Sequence, residues 1–196
     1  MIFFASESAR TIHHRNQLSA VMSQETRPLG QMLTSSKLNL TTQIDPLKAG
    51  RGAFHTTGSC WLNSVVSEFI ISANLRSAVD PFAGEGDMLD LVALELNMEK
   101  SGFDIDESTG WKVNDSLVSI PRSPGSICIT NPPFLANYSA RRKSIWPIVG
   151  NYYDRYGRTD LYEIALDRCL ASFEYVVAIL PETFLHSAYP KDRCER

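Results

Sequence analysis

The 196-residue chain has no long apolar run, no closely spaced cysteine pair and no group of histidines at ligand spacing. A membrane-spanning helix needs roughly 18 or more consecutive apolar residues, so the first absence predicts that the chain does not cross a membrane. The four cysteines are scattered, which disfavours a zinc site and a disulfide framework and indicates reduced thiols. The four histidines show no ligand spacing, so we predict no metal site. Reduced thiols are typical of a cytoplasmic protein, which is the location we expect.

A large excess of either charge sign is also absent, since the formal net charge is −3 at pH 7. That balance argues weakly against a nucleic-acid partner, but the charges are unevenly distributed. Residues 80–115 carry ten acidic residues against two lysines, which suits a cationic ligand. Arg141, Arg142 and Lys143 form a basic cluster that suits phosphates, although a solvated helix face explains the cluster equally well.

Apolar residues recur at helical spacing in three segments and form strand-like runs in four others. The predicted helices cover residues 60–73, 88–100 and 159–172, and the predicted strands cover residues 77–80, 102–105, 126–130 and 175–180. The last run is continuously apolar, which is typical of a strand buried on both faces of a parallel sheet. Alternating strands and helices predict an α/β fold with a doubly wound, mostly parallel sheet.

The domain organisation follows from composition. Residues 1–45 are rich in Ser, Thr, Asn and Gln and show no sustained period, so we predict an irregular N-terminal extension. Residues 46–196 are expected to form a single ligand-binding domain. If the segment 116–120, next to a turn, is counted as well, the chain ends at about the fifth predicted strand, so we expect this domain to be incomplete at its C-terminus.

The most informative segment is Asn131-Pro132-Pro133-Phe134, here called the NPPF turn, which directly follows the apolar run 126–130. Prolines fix φ at about −65° and lack a backbone N–H, and a residue before proline avoids the helical region. The turn therefore holds a carboxamide, a proline carbonyl and an aromatic ring in a fixed relation. Two acceptors and a flat apolar face can grip an exocyclic amino group and stack on its ring. This arrangement indicates chemistry on a planar nitrogen base.

A second informative segment, the glycine turn (residues 80–87), lies between a predicted strand and a predicted helix. Gly84 and Gly86 permit a tight turn and the close approach of a ligand, at the position where doubly wound folds bind cofactors. The dinucleotide-binding fingerprint requires a third glycine, and Leu89 occupies that position. The carboxylates of the glycine turn oppose a pyrophosphate, so NAD is disfavoured. A ligand that carries a sulfonium and an ammonium group is compatible with them.

Further acidic residues separate the two turns. Asp104 lies near the end of the second predicted strand, where an acid can accept both ribose hydroxyls of a nucleoside. Asp106 is the alternative if the register shifts by two. Asp115 falls where a third strand would deliver a group to an adenine amino edge. Each acid alone fits a surface role, but their order favours a nucleoside ligand.

The order of these motifs resembles the amino-methyltransferases that use S-adenosylmethionine. DPFAGEG, an acid after the second strand, Asn114-Asp115 and the NPPF turn follow one another in that family's order. Among these enzymes the chain is most similar to the adenine-specific DNA methyltransferases of restriction-modification systems, over residues 50–187. The resemblance implies a Rossmann-like methyltransferase fold for residues 46–196. It also implies methyl transfer to the N6 amino group of a flipped adenine in DNA.

The resemblance also implies roles for individual residues. The methionine part of the cofactor would be lined by Asp80, Ala83, Gly84 and Gly86. Asp104 would bind the ribose, and Asp115 would bind the cofactor adenine. The segment Phe54-His55-Thr56-Thr57 resembles the family's N-terminal cofactor segment, which usually reads Phe-Tyr-Thr-Pro, and this makes Thr56 a cofactor contact.

The same resemblance assigns the catalytic turn. Asn131 and Pro132 would hold the target amino group, with Asn131 also next to the cofactor. Pro133 would complete the turn, and Phe134 would stack on the flipped base. Downstream, Asp160-Leu161-Tyr162 resembles the segment that packs on cofactor and target in this family, and residues 179–184 resemble the following strand and turn.

No target-recognition region follows these motifs before Arg196. Binding to double-stranded DNA is therefore expected to need a region outside the chain or a C-terminal partner chain. The alternative function is a catalytically silent fragment, or a subunit of a split methyltransferase, that binds cofactor or a partner protein. The motifs do not fully separate adenine N6 from cytosine N4 as the acceptor.

Overall fold

The computed structural model describes residues 2–6, 59–187 and 189. Within these residues six strands form one sheet: β1 (Ile2–Ser6), β2 (Ser77–Asp80), β3 (Glu99–Asp104), β4 (Lys112–Val113), β5 (Ser126–Thr130) and β6 (Tyr175–Ile179). The α-helices of the same residues are α1 (Ser64–Ser72), α2 (Asp87–Leu96), α3 (Asn137–Arg142), α4 (Trp146–Tyr156) and α5 (Leu161–Ser172). Short 3₁₀ helices cover Glu107–Thr109 and Glu182–His186.

The strand order is β1-β6-β5-β2-β3-β4. Strands β2 to β6 run parallel to one another, and β1 pairs antiparallel with β6 at the edge. The chain proceeds from β2 outward to β3 and β4, then returns to place β5 on the other side of β2. This order confirms the predicted α/β fold with a mostly parallel sheet, and it puts a topological switch point between β2 and β5.

Helices cover both faces of the sheet. Ala78 of β2 and Ile127 of β5 pack with α1 and α2 on one face. The adjacent residues Val79 and Cys128 pack with α5 on the other face, because neighbouring side chains in a strand point to opposite sides. Cys128 is fully buried and belongs to this part of the core.

Helix boundaries differ from the predicted ones where local capping decides them. The predicted helix at 60–73 begins only at Ser64, because the Asn63 side chain accepts a hydrogen bond from the Val66 backbone and caps it. The predicted helix at 88–100 ends at Leu96, because Asn97 adopts a left-handed conformation with φ of 52°. The chain then enters β3 at once, so the last two residues of that predicted helix are in a strand.

The predicted irregular extension over residues 1–45 is wrong for Ile2–Ser6, which form β1. A five-residue apolar run carries little strand signal alone, and its conformation is stabilised by pairing along the free edge of β6, from Ile2 opposite Ile179 to Ser6 opposite Tyr175. Residues 7–45 lie outside the described residues. Within the described residues, no helix combines the length and the apolar character that crossing a membrane requires.

A close contact at Gly102 of β3 gives a test of this packing. A Cβ atom there would lie 2.7 Å from the Ala83 Cβ and 2.8 Å from the Trp111 ring. Gly102→Ala should therefore lower the free energy of unfolding by about 1–3 kcal/mol, because overpacking forces these neighbours to move. Urea unfolding followed by circular dichroism measures the change.

The matched control is Ser101→Ala, at the exposed adjacent position of the same strand. Its effect should stay within about 0.5 kcal/mol, as is usual for surface substitutions. Equal losses of stability in the two variants would contradict the packing described for Gly102.

Candidate functional site

The residues singled out in the sequence meet at one edge of the sheet. Because strands β2 to β5 are parallel, their carboxyl ends lie side by side in the order β5, β2, β3, β4. Asn131 follows β5, Asp80 ends β2, Asp104 ends β3 and Asp115 lies just beyond the end of β4. Four motifs that are up to 51 residues apart in sequence thus line one edge, centred on the switch point.

Asp80 joins the two informative turns directly. Its Oδ1 atom accepts a hydrogen bond of 2.6 Å from the Thr130 hydroxyl, on the last residue of β5, and one of 2.8 Å from the Phe82 backbone N–H. The side chain is buried, with 3% of its surface exposed. Burial raises the pKa of Asp80 from 3.8 to about 7, and the two hydrogen bonds only partly oppose this shift. Asp80 therefore holds the glycine turn against the start of the NPPF turn.

Asp104 fixes the glycine turn from the next strand. Its Oδ2 accepts the Gly84 backbone N–H at 2.8 Å, and its Oδ1 accepts the Asp106 backbone N–H at 2.8 Å. Gly84 and Gly86 have φ values of 54° and 90°, a region that favours glycine. The alternative acid, Asp106, caps the short helix at Glu107–Thr109 through the Ser108 backbone N–H. Asp104 therefore contacts the glycine turn directly.

Trp111 is a contact of the glycine turn that the sequence reasoning missed. Its indole Nε1 donates to the Gly84 carbonyl at 3.0 Å. The ring packs so closely on Gly86 that a Cβ there would lie 2.7 Å from it. An indole that both binds and covers the turn fixes its conformation from outside. No sequence pattern connects Gly86 to Trp111, which lies 25 positions later in the chain.

Asp115 is already engaged by helix α4. Its Oδ2 accepts the Tyr152 hydroxyl at 2.7 Å, and its Oδ1 accepts the Leu117 backbone N–H at 3.2 Å. Burial, followed by the neighbouring Asp115 carboxylate, raises the pKa of the Tyr152 phenol, so Tyr152 stays protonated as the donor. Sequence reasoning did not find Tyr152, because no pattern connects residues 37 positions apart.

The NPPF turn is fastened immediately after its last residue. The Leu135 backbone N–H donates to Asp160 Oδ1 at 2.9 Å, and the Leu135 carbonyl accepts the Leu161 N–H at 3.2 Å and the Tyr153 hydroxyl at 2.7 Å. Phe134 meets the ring of Tyr162 edge to face, with centroids 6.1 Å apart. The segment Asp160-Leu161-Tyr162 thus packs on the NPPF turn.

Within the turn, Pro132 is buried, whereas Asn131, Pro133 and Phe134 are half-buried. In the glycine turn Ala83 is buried, and its N–H donates to the Phe103 carbonyl at 2.9 Å. The remaining predicted cofactor contact, Thr56, lies outside the described residues. All other predicted site residues therefore lie at the edge formed by the strand ends or in the turns beside it.

The donor set can accommodate a nucleoside. A carboxylate offers about four acceptor sites, and Asp104 and Asp115 each use two of them in the described part of the chain. Both acids therefore keep capacity for hydroxyl or amino donors of a ligand. Asp80, by contrast, is buried and contributes mainly to holding the two turns together.

The buried Asp80 predicts an unusual pH dependence of stability. Its pKa is about 7 in the folded chain and about 3.9 when unfolded, so the folded state binds more protons between these values. The free energy of unfolding should therefore fall as pH rises from about 4 to about 7, by up to ~1.4 kcal/mol per pH unit. Urea unfolding at a series of pH values measures this slope.

Asp80→Asn keeps the Oδ1 acceptor and removes the titration, so it should flatten most of that slope. Part of the slope should remain between pH 4 and 6, because burial raises the pKa of Asp160 to about 6. The control Glu174→Gln removes an exposed carboxylate and should leave the slope unchanged. An unaltered slope in Asp80→Asn would contradict the burial of Asp80.

Comparison with known proteins assigns no family to this geometry: no family model and no curated protein matches the chain. The strand order and the contacts between the turns are therefore the observations on which a function must rest. They describe an α/β domain whose polar residues converge at a switch point.

Proposed function

We propose that the chain is an S-adenosylmethionine-dependent methyltransferase that acts on the N6 amino group of adenine in DNA. The observation that carries the proposal is the meeting of the glycine turn and the NPPF turn at the β2/β5 switch point, joined by the Asp80–Thr130 hydrogen bond. A crevice outside the carboxyl ends of the strands, at such a point, is where open α/β sheets bind ligands. One turn suits a cofactor and the other suits an amino group.

The cofactor side is built by β2, β3 and β4. The glycine turn would approach the methionine part, Asp104 would accept the ribose hydroxyls, and Asp115 would accept the adenine amino group. Tyr152 and the Leu117 N–H hold the Asp115 carboxylate in place for that contact. S-adenosylmethionine supplies an electrophilic methyl group on a sulfonium when it is bound. The acidic surroundings of the glycine turn suit that cation.

The target side is built by the NPPF turn. The Asn131 carboxamide oxygen and the Pro132 carbonyl are acceptors for the two N–H groups of an exocyclic amine. The nitrogen lone pair of such an amine is delocalised into the ring, so these acceptors must raise its electron density and aim it. The half-buried Phe134 offers a ring on which a base removed from the duplex can stack.

Rigidity of the NPPF turn supports this role. Asp160, Leu161 and Tyr153 all bind the backbone of Leu135, next to Phe134. Positioning catalysis loses much of its effect when a reacting group shifts by about 1 Å. A turn that is stiffened by two prolines and fastened at its end keeps its acceptors where a reaction needs them.

Cofactor binding gives the first test of the proposal. Isothermal titration calorimetry with S-adenosylmethionine should detect binding to the whole chain. Asp104→Ala should weaken this binding at least about tenfold, or ~1.4 kcal/mol, because it removes the ribose acceptors and the clamp on Gly84. The matched control is Glu107→Ala, which removes a nearby exposed carboxylate and should bind normally. No binding by the unmodified chain at millimolar cofactor would rule the proposal out.

Methyl transfer gives the second test. Asn131→Ala should lower transfer of labelled methyl from S-adenosylmethionine to DNA at least about a hundredfold, because the variant lacks one of the two fixed acceptors. Cofactor affinity should be largely retained, since Asn131 is only one of the predicted cofactor contacts and the others within the described residues follow β2, β3 and β4. Asn151→Ala removes an exposed amide from α4 and serves as the control. Analysis of the modified nucleosides then distinguishes N6-methyladenine from N4-methylcytosine.

Two results would redirect the interpretation. Loss of cofactor binding together with transfer in Asn131→Ala would assign Asn131 a folding role. Cofactor binding by the unmodified chain without any transfer would favour the alternative of a catalytically silent subunit.

A further inference from the structure

Helices α3 and α4 form a basic segment shortly after the NPPF turn, here called the basic arm (residues 137–156). The arm carries four cationic residues, Arg141, Arg142, Lys143 and Arg155, against the single carboxylate of Asp154. Its net charge of +3 contrasts with −3 for the whole chain. All four cationic residues are exposed, three of them consecutively at the junction between the two helices. The arm therefore concentrates positive charge beside the turn that we assign to the target base.

Arg141 and Arg142, in the last turn of α3, each lie against an aromatic ring. The Arg141 guanidinium carbon lies 3.5 Å from the centre of the Trp146 ring, and that of Arg142 lies 5.2 Å from the centre of the Tyr138 ring. Neither guanidinium has a carboxylate partner within the residues that the structure describes. Stacked guanidinium groups keep their N–H donors available and lose less freedom when they bind an anion. The N–H donors of both arginines are therefore available to a phosphate.

A series of side-chain contacts connects Arg141 to the residue that follows the NPPF turn. Beneath Arg141, the rings of Trp146 and Tyr153 stack with centroids 5.4 Å apart and 9° between their planes. Gly150 permits this stack, because a Cβ there would lie 2.7 Å from the Trp146 ring. The Tyr153 hydroxyl then donates to the Leu135 carbonyl, one residue after the NPPF turn. The position of Arg141 is thereby fixed relative to the turn.

We propose that the basic arm binds the phosphates of the DNA strand beside the target base and gives this chain a DNA affinity of its own. The proposal deepens the function proposed above and rests on it for the identity of the target. Phosphate contacts position a protein on nucleic acid without reading its sequence, and arginine forms them with two parallel N–H bonds. The arm would thus hold the backbone while the NPPF turn holds the base.

The Tyr138 ring, beside Arg142, favours nucleic acid over other polyanions. Tyr138 has 61% of its surface exposed, although a large aromatic side chain usually gains from burial. An exposed ring next to a guanidinium offers stacking for an unpaired base together with a phosphate contact. An anionic membrane surface would use the charge but would not need this pairing.

Fluorescence anisotropy with a labelled DNA duplex, at several salt concentrations, tests the proposal on the whole chain. The unmodified chain should bind, with an affinity that falls as salt rises. Arg141→Gln/Arg142→Gln should lower the affinity for all sequences alike and reduce the slope of log K against log salt by about 2, one unit for each phosphate that the variant no longer binds. The matched control is Arg76→Gln/Arg122→Gln, which removes two exposed arginines ahead of β2 and β5 and should change neither quantity.

Three results would overturn the proposal: no DNA binding by the unmodified chain, an equal reduction of affinity in the control, or arm-dependent binding to phosphatidylserine vesicles without DNA affinity. Calorimetry with S-adenosylmethionine separates this proposal from the proposed function. If the chain binds cofactor normally and the arm variant has an unaffected salt slope, the phosphate-binding role of the arm is rejected and the proposed function is not. Arm-dependent DNA binding in a chain without cofactor affinity would reject the methyltransferase and retain the arm as a DNA-binding surface.

Discussion

The hydrogen bond between the Thr130 hydroxyl and the Asp80 carboxylate is the contact on which the candidate site depends. It joins the last residues of β2 and β5, two parallel neighbours that form the topological switch point of the sheet. The pair is buried, so breaking it would leave a polar group without a partner in a low-dielectric environment, which costs more than an exposed hydrogen bond is worth. The glycine turn and the NPPF turn therefore keep a fixed separation, as a reaction between two bound molecules requires.

Helix α4 makes a second set of stabilising contacts at the same edge of the sheet. Two adjacent residues of the helix reach opposite sides of the site: Tyr152 binds Asp115 beyond β4, and Tyr153 binds the Leu135 carbonyl after the NPPF turn. A movement of α4 would disturb both contacts together. In the function that we propose, the positions of the cofactor adenine and of the target base would be coupled through this helix, without contact between the two ligands.

The sequence allowed the fold class, β2, β5 and the two turns to be predicted, because each depends on a local run of apolar residues or on the fixed geometry of glycine and proline. It did not allow Trp111, Tyr152 or Thr130 to be identified, because each acts through a partner 27 to 50 positions away. Strand β1 escaped prediction for the same reason, since pairing with β6 decides its conformation. Helices α3 and α4 also escaped prediction: α3 is only six residues long, and both helices pack against α5 and the residue that follows the NPPF turn.

Charge is arranged across the site in a way that the net value of −3 conceals. The acidic residues lie along β2, β3 and β4, whereas the basic arm follows β5 on the other side of the switch point. A cationic cofactor and a polyanionic target would each meet a surface of opposite charge, and each would be repelled by the surface that suits the other. Burial moderates the acidic side, because the raised pKa of Asp80 removes part of its charge near neutral pH. The charge pattern thus supports the division of the site that we propose, with a cofactor over β2 to β4 and a nucleic-acid strand over β5 and the arm.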